Sequence, residues 1–527
     1  MIAVAALFLY FIGYRLYARL VEKQLDIDPG RATPAHTEYD GVDYVPARNW
    51  FVLFGHHFSS IAGAAPVVGP ILALSIWGWG PTLLWVTLGA IFIGGVHDYA
   101  SLVVSVRHKG ISIADIAEEA VSKHSRYVFL WFVWLTLILI ISVFVYLCAK
   151  TMVVKPEIVV PSLGLIPVAI IVGFLMYNLK WNQAGVTALG LAALAGLILL
   201  GRAFPVCIGD NGVMKWSVVL LIYSFAASVT PVQILLQPRD YLSAYLLFFG
   251  VALGYAGLFI TRPQIGFPAF TGWSLNGSLP LWPVLFVTVA CGAISGFHAL
   301  IASGTSSKQM GDESWAKRIG YGGMVAEGVV AVLALLVVAC YFKDAGALRD
   351  ILKSGDGPVS VFGTGYGSIT KSLSGGFGEL FAVIMLNAFI LTTLDTATRI
   401  GRYLTHELFN IKNRYAATII IISLSGWLGL SGEWNEIWPI FGAANQLIAA
   451  LTLIVLTSWF LSKKKLIRYT LLPAVFMLVT TTGALIFKIK EYSQGGHGIL
   501  LSFAVVLLLL AVFVLYEALR HVRRSHA

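Results

Sequence analysis

Long runs of apolar residues follow one another along nearly the whole chain, and only short polar loops separate them. A helix needs about 20 apolar residues to cross the roughly 30 Å hydrocarbon core of a bilayer. Applied along the chain, this length predicts about fifteen membrane-spanning helices. We place these spans at residues 2–21, 50–77, 81–106, 127–152, 158–177, 184–201, 216–236, 240–260, 281–303, 320–341, 376–398, 415–432, 436–461, 468–488 and 499–517.

The composition agrees with lipid as the main solvent. Hydrophobic residues make up 58% of the 527 residues and charged residues only 12%, whereas roughly 25% of an average soluble domain is charged. A soluble chain of this length would form several domains, and its polar residues are too few to cover them. The sequence therefore predicts an all-α integral membrane protein of the cell inner (plasma) membrane, with the lipid bilayer as its surroundings.

The basic residues, which give a net charge of +10, lie in short clusters between apolar runs, as in Lys463-Lys464-Lys465. This pattern is typical of anchoring against an anionic cytoplasmic leaflet and does not predict a nucleic-acid partner. Most Lys and Arg fall in alternate loops, so the positive-inside rule places the N-terminus outside and the C-terminus in the cytoplasm. We interpret the run at 2–21 as a retained helix, with a cleaved signal peptide as the alternative.

The predicted spans divide the chain into three parts. They are a first helix with its cytoplasmic loop (1–49), a core (50–414) and additional C-terminal helices (415–527). The longest outer loop, about 342–375, is rich in Gly and Ser and is expected to lie against the membrane surface.

The second span contains two prolines and several glycines, which predict a break in the helix near its middle. Unpaired backbone groups in lipid cost several kcal/mol each, so a break must face protein or a water-filled cavity. Broken helices commonly bind substrate and ions in membrane carriers, and a simple proline kink is the alternative. The substrate-binding candidates in this span are Ser60, Gly63, Ala64 and Gly69.

Span seven carries a similar interruption around Pro231, where Thr230 and Gln233 are further substrate-binding candidates. Spans two and seven cross in opposite directions. Paired broken helices of opposite direction indicate an inverted repeat.

Ionisable residues inside predicted spans are functional candidates, because a charged group in the bilayer is costly. Carboxylates and imidazoles suit proton carriage, since modest pKa shifts move them across physiological pH. Asp98 is the strongest candidate for a proton site. Asp395 could instead form an i,i+4 ion pair with Arg399, and the Glu327 side chain could instead extend to the membrane surface. The proton-coupling candidates are His57, His97, Asp98, His298, Glu327 and Asp395.

Uncharged polar residues in the spans give two more predictions. Asn387, Thr392 and Asn445 are substrate-binding candidates, with interhelical hydrogen bonding as the alternative. The hydroxyl groups of Ser303, Thr305 and Ser306 lie together at the end of span nine. They predict either a cation site or a helix cap.

The same segments resemble the carbon starvation protein family, the CstA-type transporters. The resemblance runs in order from about residue 45 to 460, over residues 55–70, 95–99, 105–110, 231–241, 290–309, 391–399 and 441–447. It implies import of peptides or pyruvate with protons under nutrient limitation. It also implies a LeuT-like fold with a five-plus-five inverted repeat, here residues 50–201 and 216–414, and substrate between the two broken helices.

The leading hypothesis is therefore a proton-coupled importer of small peptides or pyruvate-like carboxylates, not an enzyme, and without a cofactor. Sodium coupling through the hydroxyl cluster is an alternative. A different class is an intramembrane metal or haem protein that uses His56, His57, His97 and His298, although no standard metal-binding motif supports it. A third alternative is a sensor that resembles a transporter but moves no substrate.

Overall fold

The computed structural model describes residues 1–120, 122–275, 279–353, 357–431 and 434–525. In those residues the chain is almost entirely helical, and two short strands, β1 (Ser274–Leu275) and β2 (Leu279–Pro280), pair in an antiparallel hairpin. The helices of the first half are α1 (Ile2–Leu25), α2 (Trp50–Ile61), α3 (Ala65–Trp77), α4 (Trp79–Arg107), α5 (Ile113–Ala120), α6 (Lys123–Val154), α7 (Pro156–Asn178), α8 (Gln183–Ala203), α9 (Gly212–Val229) and α10 (Leu236–Thr261).

The second half begins with two short helices, α11 (Leu281–Leu285 and Phe286–Thr288) and α12 (Gly296–Ile301, Ala302–Ser306 and Ser307–Gln309). A further short helix, Pro34–Thr37, lies in the loop after α1. The remaining helices are α13 (Glu313–Tyr341), α14 (Ala345–Lys353), α15 (Gly357–Ser374), α16 (Gly378–Phe409), α17 (Arg414–Gly429), α18 (Trp434–Ser462), α19 (Arg468–Gly495) and α20 (Gly498–Ser525).

Thirteen segments of the described chain are helical, long enough and apolar enough to cross a membrane, with α2–α3 and α15–α16 each counted once. Each corresponds to a predicted span, which confirms an all-helical, multi-pass membrane protein. The other two predicted spans differ. Residues 415–432 form the 16-residue helix α17, and residues 281–303 are divided between α11 and α12.

Local sequence explains where several helices begin. The Asn49 side chain accepts hydrogen bonds from the amides of Phe51 and Val52 at the start of α2. Asn182 and Asn413 cap α8 and α17 in the same way. A short side-chain acceptor at this position satisfies backbone amides that have no partner within the helix.

Two crossings are broken near their middle. The first is the predicted one, where residues 62–64 are non-helical between α2 and α3. The second lies in predicted span nine, where residues 289–295 separate α11 from α12. Gly292 lies in this second break with φ +85°, a left-handed conformation that glycine adopts without strain.

The prediction of an interrupted helix in span seven is wrong. Helix α9 ends at Val229, and residues 230–235 form the turn that leads into α10. Proline at the start of a turn between two helices gives the same local sequence signal as proline within a broken helix. The second broken crossing is therefore α11–α12, and not α9.

The Gly- and Ser-rich stretch 342–375 is predicted to be a loop, and this prediction is wrong for its described residues. It forms α14 and α15, and α15 packs against α10, α13 and α16. A Cβ added at Gly365 would lie 3.0 Å from the Val337 carbonyl oxygen, and one at Gly367 would lie 2.9 Å from the Glu379 Cβ. The small residues that suggested a loop allow close helix packing instead.

The centre of the molecule is formed by two helices of 32 residues, α6 and α16, which lie against each other. The Trp134 indole of α6 donates a 2.8 Å hydrogen bond to Thr405 of α16. Helix α16 also contacts α2, and α18 contacts α6 and α12. Helix α16 thus contacts the first broken crossing directly, and α6 is connected to the second through α18.

Candidate functional site

The two broken crossings touch each other at their breaks. A Cβ added at Gly69 of α3 would lie 2.8 Å from the Thr288 carbonyl oxygen and 3.1 Å from the Val289 Cα. A Cβ added at Gly292 would lie 3.6 Å from the Pro66 Cα. This close approach brings the irregular backbone of both crossings into one buried region, which is the candidate functional site.

Side chains from α16 bond to the first break. The Thr393 hydroxyl donates a 2.9 Å hydrogen bond to the Ser60 carbonyl oxygen, which has lost its helical partner. The Ser60 and Thr396 hydroxyl groups are 3.0 Å apart. A Cβ at Gly63 would lie 2.5 Å from the Thr393 hydroxyl oxygen, so α16 rests directly on the break.

Side chains from α18 bond to the second break. The Asn445 side-chain oxygen accepts a 2.8 Å hydrogen bond from the Phe297 amide, at the start of α12. Its amide nitrogen donates to the Ser295 hydroxyl at 2.9 Å, and Gln446 donates to the Val289 carbonyl oxygen at 3.1 Å. These bonds satisfy backbone groups that would be costly if left unpaired in lipid.

A chain of buried charged groups lies beside the first broken crossing; we call it the Arg239 network. The His56 Nδ1 is 2.7 Å from an Asp240 carboxylate oxygen, and the Arg239 guanidinium donates to the other oxygen at 2.9 Å. Arg239 also bonds to Asp395 and Tyr223, and the Tyr223 hydroxyl donates to Asp395 at 2.7 Å. The Ser59 hydroxyl joins the network to α2 through the Asp240 carbonyl oxygen at 2.9 Å.

A second chain lies beside α12; we call it the Asp98 network. One Asp98 oxygen is 2.7 Å from the His97 Nδ1, and the other is 2.8 Å from the His298 Nδ1. The His298 Nε2 and the Glu327 carboxylate are 3.2 Å apart, within ion-pair distance but outside hydrogen-bonding geometry. All four side chains are fully buried.

His57 connects the two broken crossings directly. Its Nδ1 is 2.8 Å from the Ser306 hydroxyl of α12, and its Nε2 is buried without a hydrogen-bond partner in the described residues. Each broken crossing therefore carries a buried histidine held by an aspartate of a neighbouring helix, and a third histidine lies between them. Such chains can exchange a proton with little movement of heavy atoms.

Several predicted site residues meet here. Ser60, Gly63, Ala64 and Gly69 lie at the first break, with Ala64 as the fully buried residue before α3. Asn445 lies at the second break. The proton-coupling candidates fall into the networks just described, namely His97, Asp98, His298 and Glu327 in one, Asp395 in the other and His57 between the crossings.

Other predicted substrate residues lie elsewhere. Gln233 donates to the Gly41 carbonyl oxygen at 3.1 Å, and the Thr230 hydroxyl to the Ala226 carbonyl oxygen at 2.7 Å, both in the turn after α9. Asn387 donates to the Ser162 hydroxyl at 2.8 Å, which is the interhelical bond considered as its alternative. Thr392 bonds within its own helix, to the Ala388 carbonyl oxygen at 3.1 Å.

The three candidate cation ligands do not point at one position. The Ser303 and Thr305 hydroxyl groups donate to carbonyl oxygens one turn earlier, at 2.7 and 3.1 Å, and Ser306 pairs with His57. This arrangement favours the helix-end interpretation of the cluster over a sodium site.

The predicted four-histidine metal group is not formed by the described residues, because His56, His57 and His97 each bond to a different partner. One other donor set is close. Ligand atoms of Cys291, His298 and Glu327 lie within 4.8 Å of one another.

A separate ion pair joins the loop before α2 to α16. The Asp43 carboxylate is 2.6 Å from Arg399 and 3.3 Å from Arg402. Burial raises the pKa of Asp43, but the two guanidinium groups outweigh this and hold it below the ordinary value of 3.8. Asp395 therefore pairs with Arg239 and not with Arg399, so the i,i+4 interpretation is wrong.

Sequence reasoning missed several residues of the site. The predicted span limits place Arg239 in a loop and Asp240 at the start of a helix. A pair of opposite charges beside an apolar run could have indicated a buried ion pair. Thr393 and Thr396 looked like ordinary helix residues. Tyr223 gave no signal at all.

The fold and the site define a multi-pass helical membrane protein of the transporter type. A mutant of the Eremococcus coleocola manganese transporter, known from a crystal structure, has a similar fold, with a TM-score of 0.53 at 13% identity. The similarity covers 92% of this chain and 99% of that one.

The sequence profile described as Carbon starvation protein CstA matches residues 1–350 and 344–484. Peptide transporter CstA of Campylobacter jejuni is 33% identical, over 94% of this chain and 81% of its own length. Pyruvate/proton symporter BtsT of Escherichia coli is 31% identical, over 94% and 82%. Peptide transporter CstA of Bacillus subtilis is 31% identical, over 98% and 96%. The chain belongs to the carbon starvation protein CstA family.

Proposed function

We propose that this protein is a secondary active transporter that imports a small carboxylate-bearing nutrient, either pyruvate or a short peptide, together with protons. The observation that carries the proposal is the contact between two broken crossings, each with a buried histidine bonded to an aspartate. The names of its relatives supply the two substrates. The family's name suggests a role when carbon is scarce.

The substrate would lie against the two breaks. Residues 62–64 and 289–295 are non-helical and buried, and α12 begins within this region. A helix N-terminus and free backbone groups attract carboxylates, which pyruvate and peptides share. We propose Ser60, Gly63, Ala64, Gly69 and Asn445 as the residues nearest the substrate.

The two networks would carry the coupling protons. In the Arg239 network one guanidinium faces two carboxylates. The network therefore carries a net negative charge unless His56 or one of the aspartates binds a proton. The Asp98 network contains two carboxylates and two histidines, so its net charge also depends on how many protons it binds. A proton bound in either network changes which side chains attract each other, and this can favour one access state over the other.

The inverted repeat is part of the same proposal. Six membrane-capable helices lie between the two broken crossings, so these cross in opposite directions if each helix spans the bilayer. Broken crossings of opposite direction are expected of an inverted repeat, although six intervening helices are two more than the predicted five-plus-five pairing of spans two and seven leaves. We keep the predicted orientation, with the Lys463–Lys465 loop in the cytoplasm.

The test is uptake by purified protein in proteoliposomes. Labelled pyruvate and labelled dialanine are offered separately under an inward proton gradient, an inward sodium gradient or no gradient. We expect accumulation of at least one substrate, driven by the proton gradient and abolished by a protonophore.

Accumulation driven by sodium alone would contradict proton coupling. A lack of uptake of both substrates, in vesicles whose protein is correctly inserted, would contradict the proposed transport function.

A further inference from the structure

Away from the two breaks, a small, partly open cavity of about 100 Å³ lies between α5, α12 and α16. Three of its lining residues carry polar groups that belong to neither the Arg239 network nor the Asp98 network, namely Lys308, Tyr403 and Glu407. Its other walls combine apolar side chains, with Ile113, Leu300 and Ile400 among them, and a few polar ones, Ser112, Asp115 and Ser303.

The Lys308 ammonium is held between two aromatic rings, 4.1 Å from the Tyr403 ring centre and 5.2 Å from that of Tyr44. Across the described part of the chain, it has no carboxylate or hydrogen-bond partner. The Tyr403 hydroxyl is buried beside the Asp43 carboxylate, which accepts from it. An ammonium that lacks an acceptor beside a cavity is suited to an anionic ligand.

Two acids also line the cavity, but they differ. The Asp115 carboxylate is 2.6 Å from the Arg126 guanidinium and accepts from the Ser112 hydroxyl at 2.8 Å, so its charge is compensated. One carboxyl oxygen of Glu407 is buried without a partner in the described chain. Glu407 is therefore the group that opposes an anion in this cavity.

We propose that this cavity binds a small monocarboxylate, whose carboxylate is held by the Lys308 ammonium. The volume of about 100 Å³ is several times what one water molecule needs, and it suits a three-carbon acid better than a larger dipeptide. The site lies on the side that we propose is cytoplasmic, at the end of α12 that follows the second break. It would hold the substrate on its way into the cell.

The inference rests on the proposed function for its choice of probe, which is pyruvate. Binding is measured on the full chain in lipid nanodiscs, by tryptophan fluorescence or thermophoresis. Methyl pyruvate, which lacks the carboxylate charge, and dialanine, which is larger, are the ligand controls.

Lys308→Gln should weaken pyruvate binding by about 10- to 100-fold, because it removes a charge-assisted hydrogen bond. Lys308→Arg should restore binding to within several-fold of wild type. Glu407→Gln should tighten binding by about twofold or more, because it removes an opposing charge. Lys463→Gln removes an exposed charge from another loop and should leave binding unchanged.

Opposite effects of the Lys308 and Glu407 variants are the decisive result, since damage to folding would weaken binding in both. Thermal unfolding of each variant checks this point. The proposal is overturned if wild type does not bind pyruvate, if Lys308→Gln binds it normally, or if Glu407→Gln weakens binding. Methyl pyruvate or dialanine binding as tightly as pyruvate also overturns it.

Proteoliposome uptake separates this failure from failure of the proposed function. Wild-type uptake of pyruvate that Lys308→Gln leaves unchanged would refute the cavity site and leave the transport function standing.

Discussion

The contact between the two broken crossings gives the sharpest prediction, the effect of Gly69→Ala. The new Cβ would lie 2.8 Å from the Thr288 carbonyl oxygen and 3.1 Å from the Val289 Cα, both backbone atoms. Backbone cannot rotate away as a side chain does. Ordinary contact begins near 3.4 Å, so the two crossings must separate by about half an ångström.

The cost can be estimated from known substitutions. Overpacking of this kind costs about 1–3 kcal/mol, while Ala in place of Gly within a helix returns about 1 kcal/mol. The net loss of stability is therefore small, about 2 kcal/mol at most. If the clash acts in one access state only, the same 1–3 kcal/mol shifts the balance between states by about 5- to 150-fold.

We therefore expect Gly69→Ala to lower the initial rate of proton-driven uptake by roughly tenfold or more. Its thermal unfolding temperature should change little. Gly196→Ala is the matched control, because Gly196 lies in helix α8 with no atom within 4 Å of an added Cβ. That variant should transport at the wild-type rate.

Wild-type uptake by Gly69→Ala would show that the close contact has no part in transport. An equal loss of activity in Gly196→Ala would show that the effect does not depend on the contact.

Three further predictions concern coupling, stability and orientation. Asp98→Asn should lose uptake driven by a pH gradient and retain substrate exchange, measured in proteoliposomes; accumulation against a gradient would make Asp98 structural. Asp43→Asn removes the carboxylate that Arg399 and Arg402 share and should cost about 3–5 kcal/mol at pH 7. Because the pKa of Asp43 is lowered on folding, its carboxylate stabilises the fold above pH 3.8, and the difference in unfolding temperature should disappear as the pH falls through the folded pKa. Lys464→Cys, in a chain with Cys207→Ser, should resist an impermeant thiol reagent in intact cells and react after permeabilisation; labelling in intact cells would reverse the orientation.

The sequence was sufficient to predict the membrane-spanning helices. Thirteen of the predicted spans are helical and long and apolar enough to cross a bilayer. Hydropathy is a local property that depends on about 20 consecutive residues, so no knowledge of neighbouring helices is needed. The break at residues 62–64 was also predictable, since Gly63 and Pro66 disturb the helix whatever surrounds them.

The pairing of charged groups was decided by the tertiary structure. Asp395 has Arg399 one turn away, yet it bonds to Arg239 of α10, which is distant in the chain. Arg399 pairs instead with Asp43 in a loop. A local pattern records which partners are within reach along one helix, whereas burial forces each charge to take whichever partner the packing provides.

The second break and the α15 helix also show that a local sequence signal does not by itself determine the structure. Pro231 and the glycines of residues 357–374 are local signals for irregular backbone, but tertiary contacts decide their meaning. Pro231 lies in a turn between two helices, and the glycines of α15 let it pack closely on its neighbours. The sequence alone determined thirteen segments that are long and apolar enough to cross a membrane, and the break in the first crossing. Only the fold decided that residues 289–295 also unwind and which charges meet, because those outcomes depend on contacts between residues far apart in the chain.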